Sequence, residues 1–473
     1  MKTMKYLVAG LLLAGMAVPA MAQTSKAEID AITKVIVDAK GDVVATKAQV
    51  KEYTKLHKKD CNAMVALGRA FMTAKNYEQA ELLANQAIKI DKKSAEPYIL
   101  LGDIASAQDD GGKAAGYYEQ GTFYDPANPT SYVKYARVYQ KVDPKGAVAM
   151  LEKLRSVKPD YPVDAAAGFM YAYNGQLKSA MSYYDKVQNV ASMDDYILMD
   201  YATTAYVLEE YDKAVRLCDE GLKAYPHYTS FNRVGLYSND KLKNYDAAVA
   251  YGQRLFNTSD TIKYTVNDYV FYGDALTNLG RYDDAVASYK HITEVAPDNK
   301  DTNKYIADTY TKAGKFDEAI AAYKLYLADL GDAATYKEYE AEADIYLAQS
   351  EATTDAAAKS AALVKAADVY GEMVAKFDYA AVYGLSKQAA FLHASNPDVK
   401  AGAALEAYKK LAEKIESQAE KSEKDLSKLA TAYTYVAVHY IQNDNKTDAK
   451  AWAAKLLQIR PDDPNATQIM NIK

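Results

Sequence analysis

Apolar residues recur along most of this chain at intervals of three and four, the spacing of one face of an α-helix. In the clearest segment they are Tyr269, Tyr272, Leu276 and Leu279. Gly280 then interrupts the pattern, as glycine commonly does. A second helical pattern runs over residues 282–295, and Pro297 lies just past its end, where proline often follows a helix. The segment therefore predicts two antiparallel helices joined by a short turn.

The same pair of helices is repeated along the chain. An alanine of the second helix returns at intervals of 33 to 37 residues, as Ala80, Ala114, Ala147, Ala180, Ala214, Ala248, Ala285 and Ala319. Twelve residues earlier most copies carry a small residue, namely Gly68, Gly102, Gly168, Ala202, Gly273 or Ala307. Four residues after the alanine several copies carry a tyrosine, namely Tyr118, Tyr184, Tyr289 and Tyr323. A period of this length indicates one supersecondary unit copied and stacked, with the small residues allowing close approach of its two helices.

This pattern resembles the tetratricopeptide repeat family. Residues 269–297 carry the family's order of an aromatic, a glycine, a Tyr-Asp-Asp-Ala run, a further aromatic and a proline, and residues 61–330 follow it well. The family's usual tryptophan is missing, since the only tryptophan is Trp452. The resemblance implies an all-α fold, a right-handed superhelical solenoid of about twelve antiparallel helix pairs. No alternating β-branched segment competes with this interpretation.

The remaining segments predict four regions in total. Residues 1–22 are expected to be a cleaved signal peptide, 23–60 a degenerate helix pair, 61–330 the regular array, and 331–473 irregular pairs with insertions. In the last region Ala366, Ala404 and Ala449 mark three further copies. An insertion is predicted at 350–360, and the charged run 409–428 is predicted to be a long solvated helix end.

The N-terminus predicts export. Lys2 and Lys5 precede an apolar run at residues 6–18. Ala20-Met21-Ala22 then forms a small-residue cleavage site, as in secretory signal peptides. The run is short for a membrane-spanning helix, so an uncleaved anchor is the weaker alternative. We expect a protein that does not span the membrane, placed first in a bacterial periplasm and second outside the cell.

The chemistry-bearing residues do not predict an enzyme. The five histidines, at 57, 227, 291, 393 and 439, lack metal-binding spacing and are expected to be surface or packing residues. No nucleophile elbow or phosphate-binding loop occurs in the sequence. Cys61 and Cys218 are expected to remain unpaired thiols. The net charge of −6 argues against a nucleic-acid partner. No catalytic residue, metal or cofactor is therefore predicted.

The resemblance also implies a concave groove built from the first helix of each pair. By alignment, the groove positions are Arg69, Met72, Asp103, Phe169, Tyr173, Thr203, Tyr206, Asp274, Asn278 and Asp308. Lys304 fits one position of the family's carboxylate clamp, but Asp308 replaces the asparagine that the clamp needs. Recognition of a C-terminal carboxylate by that clamp is therefore not predicted, and the aspartates favour polar or basic ligands.

Tyrosine is unusually abundant, with 43 residues against nine phenylalanines. Several lie outside the repeat positions, for example Tyr173, Tyr196, Tyr206, Tyr225, Tyr228 and Tyr237. These rings either line a binding groove or pack between repeats, and the sequence leaves both open. The leading functional hypothesis is an adaptor or scaffold that binds a protein or peptide partner of the cell envelope. The alternative is a glycan-binding or peptidoglycan-associated protein.

Overall fold

The computed structural model describes residues 25–257 and 263–472, so the predicted signal peptide at 1–22 lies outside the described residues. All regular structure in these two ranges is helical, which confirms the all-α fold of paired helices. None of the helices in this part of the chain is both long and apolar enough to cross a lipid bilayer. The chain divides between Tyr225 and Pro226 into two compact units.

The N-terminal unit contains twelve described α-helices and a 3-10 turn at Val190–Ser192. They are α1 (Lys26–Asp38), α2 (Lys47–Leu56), α3 (Cys61–Thr73), α4 (Tyr77–Ile90), α5 (Glu96–Ala107), α6 (Gly111–Tyr124), α7 (Pro129–Tyr139), α8 (Pro144–Val157), α9 (Val163–Tyr173), α10 (Leu177–Tyr184), α11 (Asp195–Val207) and α12 (Tyr211–Ala224). From α3 onward, the first and second helices of each pair pack together and then against the next pair.

The C-terminal unit is built in the same way. Its helices are α13 (Ser230–Lys241), α14 (Tyr245–Asn257), α15 (Val266–Asn278), α16 (Tyr282–Lys290), α17 (Ile292–Val295), α18 (Thr302–Lys312), α19 (Phe316–Leu330), α20 (Tyr336–Ala352), α21 (Ala356–Lys376), α22 (Ala381–Ser395), α23 (Leu405–Glu416), α24 (Glu423–Gln442), α25 (Lys446–Ile459) and α26 (Pro464–Met470). Short 3-10 turns lie at Gly331–Ala333, Asp378–Ala380 and Val399–Ala401.

The repeated glycine and tyrosine pack against each other within a pair. A Cβ atom added to Gly102 would lie 2.4 Å from the ring of Tyr118, and one added to Gly273 would lie 2.5 Å from the ring of Tyr289. Real Cβ atoms do not approach so closely, so these positions tolerate no side chain unless the ring moves. The small residue therefore allows the close helix approach that the sequence predicts.

Many of the first helices end in a turn with left-handed backbone. Gly280 has a φ of +75° and ends the helix before α16, as its place in the sequence predicts. Lys75 and Glu209 occupy the same conformation in other copies, with φ of 62° and 63°. Asparagine or aspartate then often caps the second helix, as Asn76 does by accepting the Gln79 N–H at 3.0 Å.

The irregular region differs from the sequence expectation in one place. The stretch 350–360, where the sequence predicts an insertion, forms the end of α20, a short connection and the start of α21. The charged run 409–428 is not one long helix end, because α23 ends at Glu416 and α24 begins at Glu423. Ser422 explains the new start, since its side chain accepts the Asp425 N–H and forms a capping box.

Candidate binding surfaces

All ten predicted groove positions lie on the first helix of a pair. Arg69 and Met72 are on α3, Asp103 on α5, Phe169 and Tyr173 on α9, Thr203 and Tyr206 on α11, Asp274 and Asn278 on α15, and Asp308 on α18. The first seven belong to the N-terminal unit and the last three to the C-terminal unit. The two units carry chemically different surfaces.

Asp103 connects three neighbouring first helices. Its carboxylate accepts hydrogen bonds from Arg69 at 3.1 Å, from Lys134 at 2.6 Å and from the Tyr118 hydroxyl at 2.8 Å. The side chain is almost buried, and such charge-assisted bonds are stronger than neutral ones. Met72 packs on the hydrophobic core of the same unit. Arg69, Met72 and Asp103 therefore hold repeats together through their own contacts.

Aromatic side chains remain accessible further along the N-terminal unit. The Phe169 ring meets the Tyr196 ring edge-on at 5.3 Å, and Tyr196 is 38% exposed. Tyr173 lies one turn after Phe169, is 49% exposed and has the Lys141 ammonium 5.5 Å from its ring centre. We call Phe169, Tyr173 and Tyr196 the aromatic surface. Exposed rings with polar tips are typical of protein interfaces.

The two predicted groove positions on α11, Thr203 and Tyr206, contribute less to this surface. The Thr203 hydroxyl donates to the Met199 carbonyl of its own helix at 2.8 Å. Tyr206 is half-buried and has its ring 5.7 Å from Tyr211. Other tyrosines outside the repeat positions belong to the packed interior. Tyr237, for example, is buried and donates a hydrogen bond to Asp268 at 2.6 Å. Surplus tyrosines therefore serve both packing and exposed surface.

Three aspartates on successive first helices form an acidic row in the C-terminal unit: Asp240, Asp274 and Asp308. Burial raises the pKa of the Asp240 carboxyl to about 6, and the charge of Asp274 adds to this shift. One buried oxygen of Asp240 has no hydrogen-bond partner among the described residues. Asp274 accepts the Tyr289 hydroxyl at 2.8 Å.

Asp308 and Asn278 complete this face. The Asp308 side chain is exposed, and yet desolvation by the surrounding protein raises the pKa of its carboxyl, while Lys304 and Lys312 oppose the shift. The carboxyl group is therefore accessible to solvent and at the same time partly desolvated by its neighbours. Asn278 donates to the Asp274 carbonyl at 2.8 Å and accepts from Lys312 at 3.4 Å. The acidic row favours cationic over anionic groups.

Two residues on first helices were missing from the sequence-based set. His393 lies eleven residues before Ala404, the same interval that separates Asp103 from Ala114, so spacing alone was a sufficient signal. Asp240 lies eight residues before Ala248 and had no such signal. Its importance comes from packing beside Asp274.

The two cysteines are free thiols. Burial raises the pKa of the Cys61 thiol to about 11 and raises that of Cys218 as well, so both thiols are protonated at neutral pH. No group of three or more histidine, cysteine, aspartate or glutamate side chains in the described part of the chain could hold a metal ion.

Comparison with known proteins finds matches to repeat families and to solved structures. Two family models described as tetratricopeptide repeat match residues 62–94 and 276–342. Among solved structures, the C-terminal part of a TPR repeat-containing protein from Cytophaga hutchinsonii is 20% identical, over 58% of this chain and 100% of that one, with a TM-score of 0.40. PilF of Pseudomonas aeruginosa is 19% identical, over 46% of this chain and 96% of that one, with a TM-score of 0.35.

A third similar structure is YrrB, described as a TPR protein with an unusual peptide-binding site. It is 17% identical, over 38% of this chain and 94% of that one, with a TM-score of 0.29. At such identities and TM-scores, nothing that these proteins bind or do transfers to this chain. No curated protein sequence matches the chain.

Proposed function

Because this chain is a tetratricopeptide repeat protein, we propose that it is a non-enzymatic adaptor of the bacterial periplasm that binds a protein or peptide partner on the first helices of its repeats. The repeats support a role as a protein-interaction scaffold. The observation that carries the finer proposal is the aromatic surface, where Tyr173 and Tyr196 remain 49% and 38% exposed beside Phe169.

Physical chemistry favours this surface as an anchor. A few tyrosines and other large side chains supply most of the energy at protein interfaces. Tyr173 lies on helix α9, which its neighbours already hold in place, so binding orders little of this chain. A preformed surface reduces the entropic cost of association. Lys141 beside Tyr173 adds a positive charge, which favours an acidic or polar rim on the partner.

Site-specific photo-cross-linking in cells tests the partner and its location together. A benzoylphenylalanine at position 173 is expected to capture a distinct protein, and one at exposed Leu82 on α4 is the matched control. The captured protein is then purified and its affinity measured. We expect Tyr173→Ala with Tyr196→Ala to weaken binding at least tenfold without loss of helix content. Equal capture at both positions, or unchanged affinity, contradicts the proposal.

The proposed periplasmic location rests on the predicted signal peptide at residues 1–22. Cell fractionation followed by N-terminal sequencing is the direct measurement. The expected result is a periplasmic protein that begins at Gln23. Recovery in the cytoplasm with residues 1–22 still attached contradicts the location and leaves the partner-binding experiment unaffected.

Glycan binding is a second candidate, favoured by an aromatic cluster of the C-terminal unit. Tyr379 is 75% exposed, and its ring lies 6.0 Å from those of Tyr336 and Phe377. Exposed tyrosine faces can cover the apolar faces of sugar rings. Titration with soluble peptidoglycan fragments tests this: Tyr379→Ala should abolish binding, and Leu325→Ala, at another exposed apolar residue, should not. Absence of binding to the unaltered protein rejects this candidate.

A further inference from the structure

The C-terminal unit contains a cavity of about 350 Å³ that the adaptor function does not use. This volume is at the lower end of the range for small-ligand sites, about 300–1,000 Å³. The residues that line it include His393, Val399, Tyr408, Tyr435, Val438 and Arg460. They come from α22, α23, α24, the 3-10 turn at Val399–Ala401 and the end of α25.

His393 brings an unsatisfied polar atom to this cavity. Its Nδ1 is buried and has no hydrogen-bond partner among the described residues. Its ring meets the Tyr435 ring edge-on at 5.4 Å. Buried polar atoms are nearly always paired, so this nitrogen, on a residue that lines the cavity, calls for a partner that the chain does not supply.

The repeat pattern shows why His393 is unusual. In the pair α5–α6, Asp103 lies eleven residues before the repeated alanine and accepts the hydroxyl of Tyr118. In α22–α23 the corresponding residues are His393 and Tyr408. The histidine thus replaces a carboxylate whose hydrogen bonds are satisfied within the fold, and its own Nδ1 is left unpaired.

The charged and polar side chains around the cavity indicate the charge of the ligand that it binds. Arg460 is exposed at the wall and forms no ion pair with any described carboxylate. No acidic side chain lines the cavity. The Tyr435 hydroxyl accepts the Ala404 N–H at 3.3 Å, so its own proton is available for another acceptor. The remaining walls are the rings of Tyr408 and Tyr435, whose centres lie 4.6 Å apart, two valines and the side chains of Thr431 and Thr434.

We propose that this cavity binds a carboxylate attached to a flat apolar group about the size of a phenyl ring. The carboxylate faces Arg460, which can bind it with two parallel hydrogen bonds, and the polar atoms of His393 and Tyr435. The apolar body packs against Tyr408 and Val438. A free aromatic acid and an aromatic residue at the end of a peptide share this chemistry. The site differs from the family's clamp, since it uses neither Lys304 nor Asp308.

Histidine-detected NMR of the full chain tests the site. Phenylacetate represents a free acid, and N-acetyl-Ala-Phe represents a peptide end. Phenylacetamide and the N-acetyl-Ala-Phe amide are the neutral controls. We expect a saturable change of the His393 signal with at least one acid and none with its amide, while the His57 signal stays constant. Binding of phenylacetate assigns the site to free acids, and binding of the dipeptide acid alone assigns it to peptide ends.

Arg460→Gln is expected to weaken acid binding at least tenfold, since charge-assisted bonds to carboxylates are strong. Arg216→Gln, at an exposed arginine of α12, is the matched control and should leave binding unchanged. Both are surface substitutions, and thermal melting checks that they fold. Absence of a saturable His393 change, equal binding of the amides, or unchanged affinity in Arg460→Gln overturns the proposal. None of these results bears on the partner-binding experiment at Tyr173.

Discussion

A glycine, an aspartate and a tyrosine form the smallest structural unit that recurs in this protein. The tyrosine ring covers the glycine, and its hydroxyl reaches the aspartate that follows, as in Gly102, Asp103 and Tyr118. One copy replaces two members together: Ala202 is larger than glycine, and Cys218 is smaller than tyrosine. The shorter side chain at 218 leaves room for the methyl group gained at 202, although the ring that is lost is larger than that methyl group.

Two glycines of one helix pair allow this packing to be measured. Gly102→Ala places a methyl group 2.4 Å from Tyr118 and should lower the free energy of unfolding by about 1–3 kcal/mol. Gly116 has no neighbour within 4 Å, so Gly116→Ala should raise the free energy of unfolding by about 0.5–1 kcal/mol through helix propensity. Urea denaturation followed by circular dichroism compares them. Equal effects would show that the ring moves aside without cost.

Through Asp240 of the acidic row, the free energy of unfolding depends on pH. Its carboxyl ordinarily loses its proton near pH 3.8, and the folded protein raises this pKa to about 6. Between these values the folded state binds more protons than the unfolded state, so the free energy of unfolding falls as pH rises. Above pH 6 the ionised side chain destabilises the fold.

The substitution Asp240→Asn removes that charge. It should stabilise the protein at pH 7.5 by about 1–2 kcal/mol and have little effect at pH 4. Asp368→Asn, at an exposed position of α21, should show no such difference between the two pH values. Urea denaturation at both pH values measures the effect, and an equal response of Asp240→Asn at pH 4 and 7.5 contradicts the assignment.

At the scale of elements, one carboxylate both begins a helix and attaches it to the previous repeat. Asp268 accepts the Thr265 N–H at 2.7 Å and so caps α15. It also accepts two bonds from Arg233 on α13, at 2.7 and 2.8 Å. The residue is fully buried. Asp268 lies within the longest interval of the regular array, the 37 residues from Ala248 to Ala285, so these bonds hold α15 beside α13 despite the added residues.

Asp268→Asn should therefore be costly, because it leaves Arg233 without its carboxylate. Breaking a buried pair costs about 3–5 kcal/mol. The matched control is Asp378→Asn, which removes an exposed ion pair with Lys414 and should cost about 0–1 kcal/mol. Chemical denaturation of both variants measures the difference. Similar small losses would show that Asp268 acts only as a helix cap.

At the scale of the whole molecule, each unit has its own hydrophobic core. The N-terminal unit buries Ile36, Leu67 and Phe71 among its first helices, and the C-terminal unit buries Leu411, Ile415 and Val436 near its end. In repeat proteins each copy contacts mainly its neighbours, so stability is a sum over adjacent pairs. A unit of several pairs is therefore sufficient to fold.

Residues 23–225 and 226–473, produced separately, should each be helical and unfold cooperatively. Circular dichroism and thermal melting measure this, with the full chain as reference. A disordered fragment would contradict the division between Tyr225 and Pro226.

The helix pairs were predictable because the information is local. Apolar spacing, a glycine at the turn and a small residue opposite a tyrosine act within about 34 residues, and the copies reinforce one another. The ten groove positions follow from the same register, and they do lie on first helices. The sequence could not show that most of residues 350–360 belong to helices α20 and α21, since helix length depends on packing partners.

Side-chain roles were decided only by tertiary structure. Asp103 and Asp308 occupy equivalent repeat positions, yet one is almost buried in three bonds to its neighbours and the other is exposed. The difference comes from Arg69 and Lys134, which belong to the neighbouring repeats. The repeat before Asp308 carries Asp274 at the position where the repeat before Asp103 carries Arg69. His393 occupies the same repeat position, and it lies at a cavity only because α23 and α24 close around it. Periodicity determines where a side chain points, and the residues of neighbouring repeats determine whether it is free to bind.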